Sequence, residues 1–232
     1  MFIINPNPPA LPAELIERYR KIEPATAGHT LNSGFAGIEI KGVWRRQHMV
    51  GRAITVRTVS LDSTAVHKIT EMIEPGDVVV VDMAGEREHS CWGGGLARAS
   101  QVRGAVGAVI DGPVTDVNEI EDMKFPVWGR AFTCLTTRVL GYGGEINVPV
   151  RCGNTVVNPG DLIIADDCGV IALSPETAWK WLPQFEATEA RMAARGDIFA
   201  TGVSLPEMSG ANRLIEARNK EIAEKLASLQ GK

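Results

Sequence analysis

The sequence has no long apolar run. Its most hydrophobic stretches, Val78 to Val81, Ala105 to Ile110 and Leu162 to Ala165, fall far short of the ~20 residues that a membrane-spanning helix requires. A helical span is excluded. There is also no cluster of basic residues: 24 Lys+Arg stand against 28 Asp+Glu, for a formal charge of −4. The electrostatic footprint of a nucleic-acid binder is missing, because neutralised phosphates supply most non-specific affinity. Direct binding to RNA or DNA is therefore not expected. Cysteine is scarce. Cys91, Cys134, Cys152 and Cys168 are widely spaced with no Cys-x-x-Cys pair, which argues against a zinc site or a disulfide framework and predicts buried, reduced thiols. The first residues lack a basic stretch and meet proline at position 6, so no secretory signal is read there and a cytoplasmic location is expected. Long blocks of like charge are absent too, and with 44% hydrophobic residues the chain can bury a core.

What the sequence has in excess is glycine, 24 residues in 232, and most of it stands between elements. A proline-rich arm runs to Pro12, and Leu15, Ile16, Tyr19 and Ile22 recur at helical spacing over residues 13 to 22. Residues 51 to 59 alternate as a strand, and residues 63 to 73 read as a helix with Asp62 or Ser63 as N-cap. Asp77-Val-Val-Val-Val-Asp82 predicts a strand covered on both faces. A glycine tract, Gly93-Gly-Gly95, leads into a helix over residues 96 to 103, and residues 107 to 111 form the next strand. A short helical segment over residues 114 to 123 and a strand at residues 126 to 128 follow. Residues 146 to 173 read as strands and turns. The remainder is helical: residues 174 to 196, with a break or kink expected at Pro183, and residues 205 to 229. The order is that of a layered α/β domain with helical ends. Three regions are expected: an arm and helix over residues 1–30, an α/β core over 31–175 and a helical extension over 176–232.

Two segments carry candidate chemistry. Successive N–H groups at Gly93, Gly94, Gly95 and Leu96, where a helix begins, suit a carboxylate or phosphate, with Arg98 and Arg103 on the same helix as added cations. The tract also reads as a plain strand-to-helix connection. It is neither a Walker A loop nor a Gly-x-Gly-x-x-Gly fingerprint. The second segment is Val109-Ile-Asp-Gly-Pro-Val-Thr-Asp116, which presents Asp111, Thr115 and Asp116 where a strand runs out. A carboxylate there suits Mg²⁺, which keeps several waters and needs only one or two protein oxygens. Alternatively Asp111 orders the turn and Asp116 caps the next helix.

These segments, with Gly76 to Asp82, Gly93 to Ala99, Arg103 to Asp116, Phe125-Pro-Val and Pro159 to Gly169, resemble the RraA-like family over roughly residues 15 to 200. That family unites the regulator of ribonuclease E activity A with class II 4-hydroxy-4-methyl-2-oxoglutarate/4-carboxy-4-hydroxy-2-oxoadipate aldolases. The resemblance implies an α/β/α sandwich like a swivelling phosphohistidine domain, assembled as a homotrimer or homohexamer. It further implies a small 2-oxo acid substrate, Mg²⁺ or Mn²⁺ held at Asp116, and cleavage in which the metal stabilises the enolate. This chain departs from the pattern at two positions: Thr115 stands where the aldolases have Arg, and Gly94 where they have a loop carboxylate. Arg98, Arg87, Arg130 and His89 are the nearest replacements by motif, and His89 is a candidate acid/base. Glu189 is the positional match for a glutamate contributed by a neighbouring subunit, and Trp92 adjoins the glycine loop as a possible cleft wall. Three readings follow. The first is a metal-dependent lyase doing retro-aldol cleavage or decarboxylation. The second is a metal-dependent enzyme on another small acid, and the third a non-catalytic regulator of an RNA-degrading enzyme.

Overall fold

The β-branched runs form the middle of a sheet. The computed structural model describes residues 1–230. In chain order its elements begin with β1 (Phe2–Ile4), α1 (Ala13–Tyr19), α2 (Pro24–Gly28), β2 (Lys41–Gly42), β3 (Met49–Arg57) and α3 (Thr64–Ile69). Next come β4 (Asp77–Asp82), α4 (Gly94–Val102), β5 (Gly107–Asp111), β6 (Pro113–Val114), α5 (Val117–Asp122), β7 (Val127–Gly129) and β8 (Ala131–Phe132). Five further strands are β9 (Gly144–Ile146), β10 (Val150–Cys152), β11 (Thr155–Val157), β12 (Leu162–Asp166) and β13 (Gly169–Leu173). The helices α6 (Pro175–Ala193), α7 (Arg195–Ala200), α8 (Leu205–Ser209) and α9 (Ala211–Gln230) complete the order. Nine strands form one sheet in the order β1-β9-β3-β4-β5-β7-β2, with β12 also on β3 and β13 on β12. β3, β4, β5 and β7 are parallel. The fold is a mixed α/β one, with a central sheet and helices.

Alternation along β3 separates the faces. Ile54 and Val56 pack with Val79, Val81, Ala108 and Ile110 under α3, α4 and α5. Val50, with Leu162 and Ile164, packs with residues of α1 and α6. Ala53, Val78, Val80 and Val109 face the other way, onto Val150, Cys152 and Val157 of the β10–β11 hairpin. The expected sandwich puts helices on both faces. Here the second face of the parallel strands is closed by that hairpin, whose alternate apolar residues satisfy the same need for cover. The arm before Pro12 contributes an unexpected strand, β1, which pairs in parallel with β9.

Charged residues set the register of β3 and β4. Arg52 lies opposite Asp77 and Arg57 opposite Asp82. Arg52 Nε donates to Asp77 Oδ1 at 2.8 Å, and Arg57 Nε donates to Asp82 Oδ2 at 3.1 Å. The two pairs are an odd number of residues apart, so one pins each face. A one-residue slip would break both while turning the valines outward.

Asp62 is a second fixed point. Its buried carboxylate accepts from Thr64 N at 2.9 Å, Leu140 N at 3.0 Å, Tyr142 N at 2.6 Å and Gly143 N at 3.2 Å. The cap of α3 thus comes from Asp62, one residue before the N-cap position at Ser63, and it ties down the 138–143 loop. Burial alone would raise its pKa, but the hydrogen bonds from Thr64, Leu140 and Gly143 hold it well below the ordinary carboxylate range.

Contacts divide the chain into two compact units, Met1–Glu186 and Ala187–Lys232. Of the break or kink expected at Pro183, a break is absent: the helix over residues 175 to 193 is continuous through it. The expected helix over residues 205 to 229 is instead two, α8 and α9, separated by Gly210 at φ 77°, a conformation that glycine reaches at no steric cost. All four cysteines are unpaired. Cys91 and Cys152 are buried as expected, with burial pushing the Cys91 thiol up to about 12, whereas Cys134 and Cys168 are exposed. Among the described residues no helix is long and apolar enough to cross a membrane.

Replacing Asp77 with Ala removes the buried partner of the Arg52 guanidinium and leaves it Glu74 Oε2 at 2.8 Å and Pro8 O at 2.7 Å, and urea unfolding is expected to show a loss of about 2 kcal/mol. The double variant Arg52→Met/Asp77→Leu should recover part of that loss. An Asp77→Ala protein of unchanged stability would refute the register lock. For Asp62 the folded pKa lies below the unfolded value of ~3.9, so its contribution is complete above that value and disappears as pH falls through the folded one. Asp62→Asn is expected to be less stable at pH 7 and to lose less further stability between pH 5 and 3 than the parent does. Parallel stability curves over that interval would contradict this.

Candidate functional site

The parallel strands β3, β4 and β5 stop together, because Arg57 pairs with Asp82 and Asp82 with Asp111 across the ladder. Ligands of open α/β sheets bind beyond such carboxyl ends. Two chain segments leave this edge toward the helical face. One follows β4 and reaches Gly93, the N-cap residue of α4. The other follows β5 through β6 to Asp116. An isolated bridge joins Trp92 to Val114, and Thr115 N donates to Trp92 O at 3.0 Å, so the two segments lie side by side.

Asp116 occupies the N-cap position of α5 in the left-handed region, at φ 54° and ψ 38°, and its side chain makes no cap bond to its own helix. The expected helix cap is thus replaced by a contact across the loop. Asp116 Oδ2 accepts from Gly94 N at 3.0 Å and Oδ1 accepts from Thr115 Oγ1 at 3.2 Å. The carboxylate answers one of the unpaired N–H groups at the start of α4, where the helix dipole favours negative charge. Asp111 does not order its turn either. It is buried, accepting from Arg130 Nε and, at 2.9 Å, from Gly153 N.

A side chain at 93 or at 94 would meet different neighbours. A Cβ on Gly93 would lie 2.4 Å from Asp116 Oδ2 and 2.7 Å from Thr115 Cγ2. On Gly94 it would lie 2.1 Å from Glu119 Oε2. Glu119, one turn along α5 from Asp116, therefore brings a second carboxylate over the bare loop and pairs with Arg98 Nη2 at 3.1 Å. Sequence reasoning missed Glu119. The signal was its i, i+3 spacing from Asp116, which puts both on one helix face.

The other expected site residues separate. Trp92 is 0% exposed and Leu96 is buried, both in the core under the loop. Trp92 supports the tract from beneath and presents no ring to solvent. His89 Nδ1 lies 3.2 Å from Glu86 Oε1, an oxygen that also accepts from the N–H groups of Arg87, Glu88 and His89. The N–H groups of Glu88 and His89, with the His89 ring, hold the Glu86 carboxyl down at about 2. His89 belongs to that turn. Arg87 and Arg130 converge on Asp111, at 3.6 Å for Arg87 Nη1. Glu189 lies in the second unit, on the part of α6 beyond Glu186. Among the described residues no three His, Cys, Asp or Glu side chains are grouped to hold a metal ion. Asp116 with Glu119 offers hard oxygen donors that fit Mg²⁺ or Mn²⁺, since Mg²⁺ takes one or two carboxylates and keeps its waters.

Comparison with known proteins fits this architecture. A family model described as RraA-like, Aldolase/RraA, matches residues 26–172. A relative from Halalkalibacterium halodurans, named as a candidate 4-hydroxy-4-methyl-2-oxoglutarate aldolase, is 34% identical over 134 residues, 58% of this chain and 63% of that protein. The chain thus spans less than two thirds of that relative's length. A Thermus thermophilus relative named 4-hydroxy-4-methyl-2-oxoglutarate aldolase is 31% identical over 128 residues, 55% of this chain and 77% of its own. Among solved structures, Streptomyces coelicolor RraAS2, described as an unusual member of the RNase ES inhibitor RraA family, superposes with a TM-score of 0.71. It is 24% identical and the match covers 81% of this chain and 99% of that one, which shows a shared fold.

The contacts at the loop separate two substitutions. Gly94→Ala meets only the mobile end of Glu119 and is expected to fold within about 1 kcal/mol of the parent, since alanine is the better helix former. Gly93→Ala meets both Thr115 and the bonded Asp116 and should break the bond to Gly94. Amide exchange at Gly94 reports the difference: protection should fall in Gly93→Ala and persist in Gly94→Ala. Equal protection in the two would count against this picture.

Proposed function

The chain belongs to the RraA-like family, and from that premise we propose that it is a lyase cleaving a carbon–carbon bond in a small 2-oxo carboxylic acid with the help of Mg²⁺ or Mn²⁺. The names of its aldolase relatives support the reaction class. The observation that carries the proposal is the exposed Asp116 carboxylate on the Gly94 amide, with Glu119 beside it, at the carboxyl edge of the parallel strands. Asp116 and Glu119 would hold the metal, which when bound polarises a 2-oxo group and stabilises the negative charge that cleavage leaves on it.

The chain's own residues set the rest. Asp116 uses one oxygen on Gly94 N and is oriented at the other by Thr115 Oγ1. The N–H groups of Gly95 and Leu96, in the first turn of α4, have no acceptor within the helix and suit a substrate carboxylate. Thr115 brings no charge, so the carboxylate grip rests on backbone dipoles. Loss of one oxyanion donor typically costs about 2.7–4 kcal/mol, and turnover slower than that of an enzyme with arginine at this place is the consequence. The proposal includes assembly as a homotrimer or homohexamer, with Glu189 of one copy serving another, and a cytoplasmic location. A second reading, a non-catalytic regulator of an RNA-degrading enzyme, is favoured by the uncharged Thr115.

Pyruvate release from oxaloacetate and from 4-hydroxy-4-methyl-2-oxoglutarate is the measurement. Release is expected with Mg²⁺ and not with EDTA. Asp116→Ala should lower kcat/KM at least ~100-fold, and Glu119→Gln should raise the Mg²⁺ concentration needed for half-maximal rate. Absence of metal-dependent turnover, together with no thermal shift on adding Mg²⁺ and oxalate, would favour the regulator reading.

A further inference from the structure

A second charged cluster stands at the same strand edge but on the hairpin face. Asp111 and Asp82 share that face with Val109 and Val80, whereas Asp116 follows the chain round to the helical side. Beside Arg130, the partner of Asp111, lies an open surface depression of about 610 Å³ lined by Ile38, Glu39, Lys41, Arg87, Arg130 and Ala131. Three of the six are cations and one is an anion.

Each cation is placed by the fold and keeps unused donors. Arg130 has a side chain only 8% exposed; its backbone N donates to Gly112 O at 2.9 Å. Its Nε bonds Asp111 and its Nη1 bonds Glu39, whereas Nη2 has no partner among the described residues. Lys41 is held beside it, because β2 pairs Lys41 with Gly129, and its ammonium has no ion-pair partner among the described residues. Arg87 projects from the turn that Glu86 ties down. Its guanidinium makes no hydrogen bond, only the 3.6 Å approach to Asp111. The buried Asp111 is already spent on Arg130 and Gly153 N. Against the three cations stand two carboxylates, Glu39 and the buried Asp111, which Arg151 Nε also approaches at 3.9 Å; the positive charge left over favours an oxyanion held through charge-assisted hydrogen bonds.

We propose that this pocket is a binding site for a small oxyanion, a metabolite's carboxylate or phosphate group, gripped by Lys41, Arg87 and the unpartnered Nη2 of Arg130. The site is separate from the Asp116 loop and does not depend on the lyase reading. Isothermal titration of the full chain without metal, at constant ionic strength, with citrate in one arm and inorganic phosphate in the other, tests it. Saturable binding of one anion per chain is expected in at least one arm, and the stronger arm identifies the group. Lys41→Met/Arg87→Met alters two exposed side chains outside the buried Asp111–Arg130 pair, so the protein should fold and bind at least ten-fold more weakly. Asp116→Ala should bind like the parent. No saturable heat in either arm, or unchanged affinity in the double variant, overturns the proposal; tighter binding in Asp116→Ala would also overturn it, because removing the carboxylate that occupies the Gly94 amide favours an anion at the other site.

Discussion

The organisation of this protein depends on the register between two parallel strands. Four valines in a row would tolerate several alignments, since each is equally content in an apolar layer. The Arg52–Asp77 and Arg57–Asp82 pairs remove that freedom. Once β4 is fixed, β5 follows it residue for residue and Asp111 falls level with Asp82. Everything of chemical interest is then hung from one edge. Charge at the strand ends is compatible with burial because each group is paired and hydrogen-bonded.

The end of β5 divides that edge into two environments. The side chain of Asp111 turns toward the hairpin and is neutralised by Arg130. The backbone goes the other way and delivers Asp116, exposed and engaged by a single backbone N–H, to the start of α4. One carboxylate is structural because it is buried and fully partnered. The other is available because it keeps access to solvent and unused lone pairs. Only four residues of sequence separate them, yet their surroundings assign opposite roles.

Much of the core was legible because its signals are strong and local. The run over residues 77 to 82, the strand over residues 107 to 111 and the glycine tract that opens α4 all stand where composition predicts them. Signals that depend on distant partners were not legible. β1 has no distinguishing pattern, and pairing with β9 makes it a strand. The helix through Pro183 persists because proline removes one internal hydrogen bond, and buried contacts of Leu182 and Phe185 on either side hold the helix together. At the site, Asp116 and the glycine tract could be singled out from the chain. That Asp116 bonds across to Gly94 could not, since a cap to its own helix is the commoner local solution. Nor could the gathering of Lys41, Arg87 and Arg130, which are brought together by β2, a turn and the end of β7.

Glu119 also bears on how such a site can vary. Its carboxylate fills the volume that a side chain at residue 94 would enter, so the two positions are not independent. An acidic residue at 94 and a long acidic residue at 119 compete for one space, and replacing glycine first leaves two carboxylates in collision and repulsion. Shortening residue 119 first opens the space but leaves an interval with one carboxylate fewer. Negative charge over the loop can thus be supplied from below by the loop or from the side by the helix, and a change at either position alters what the other can hold.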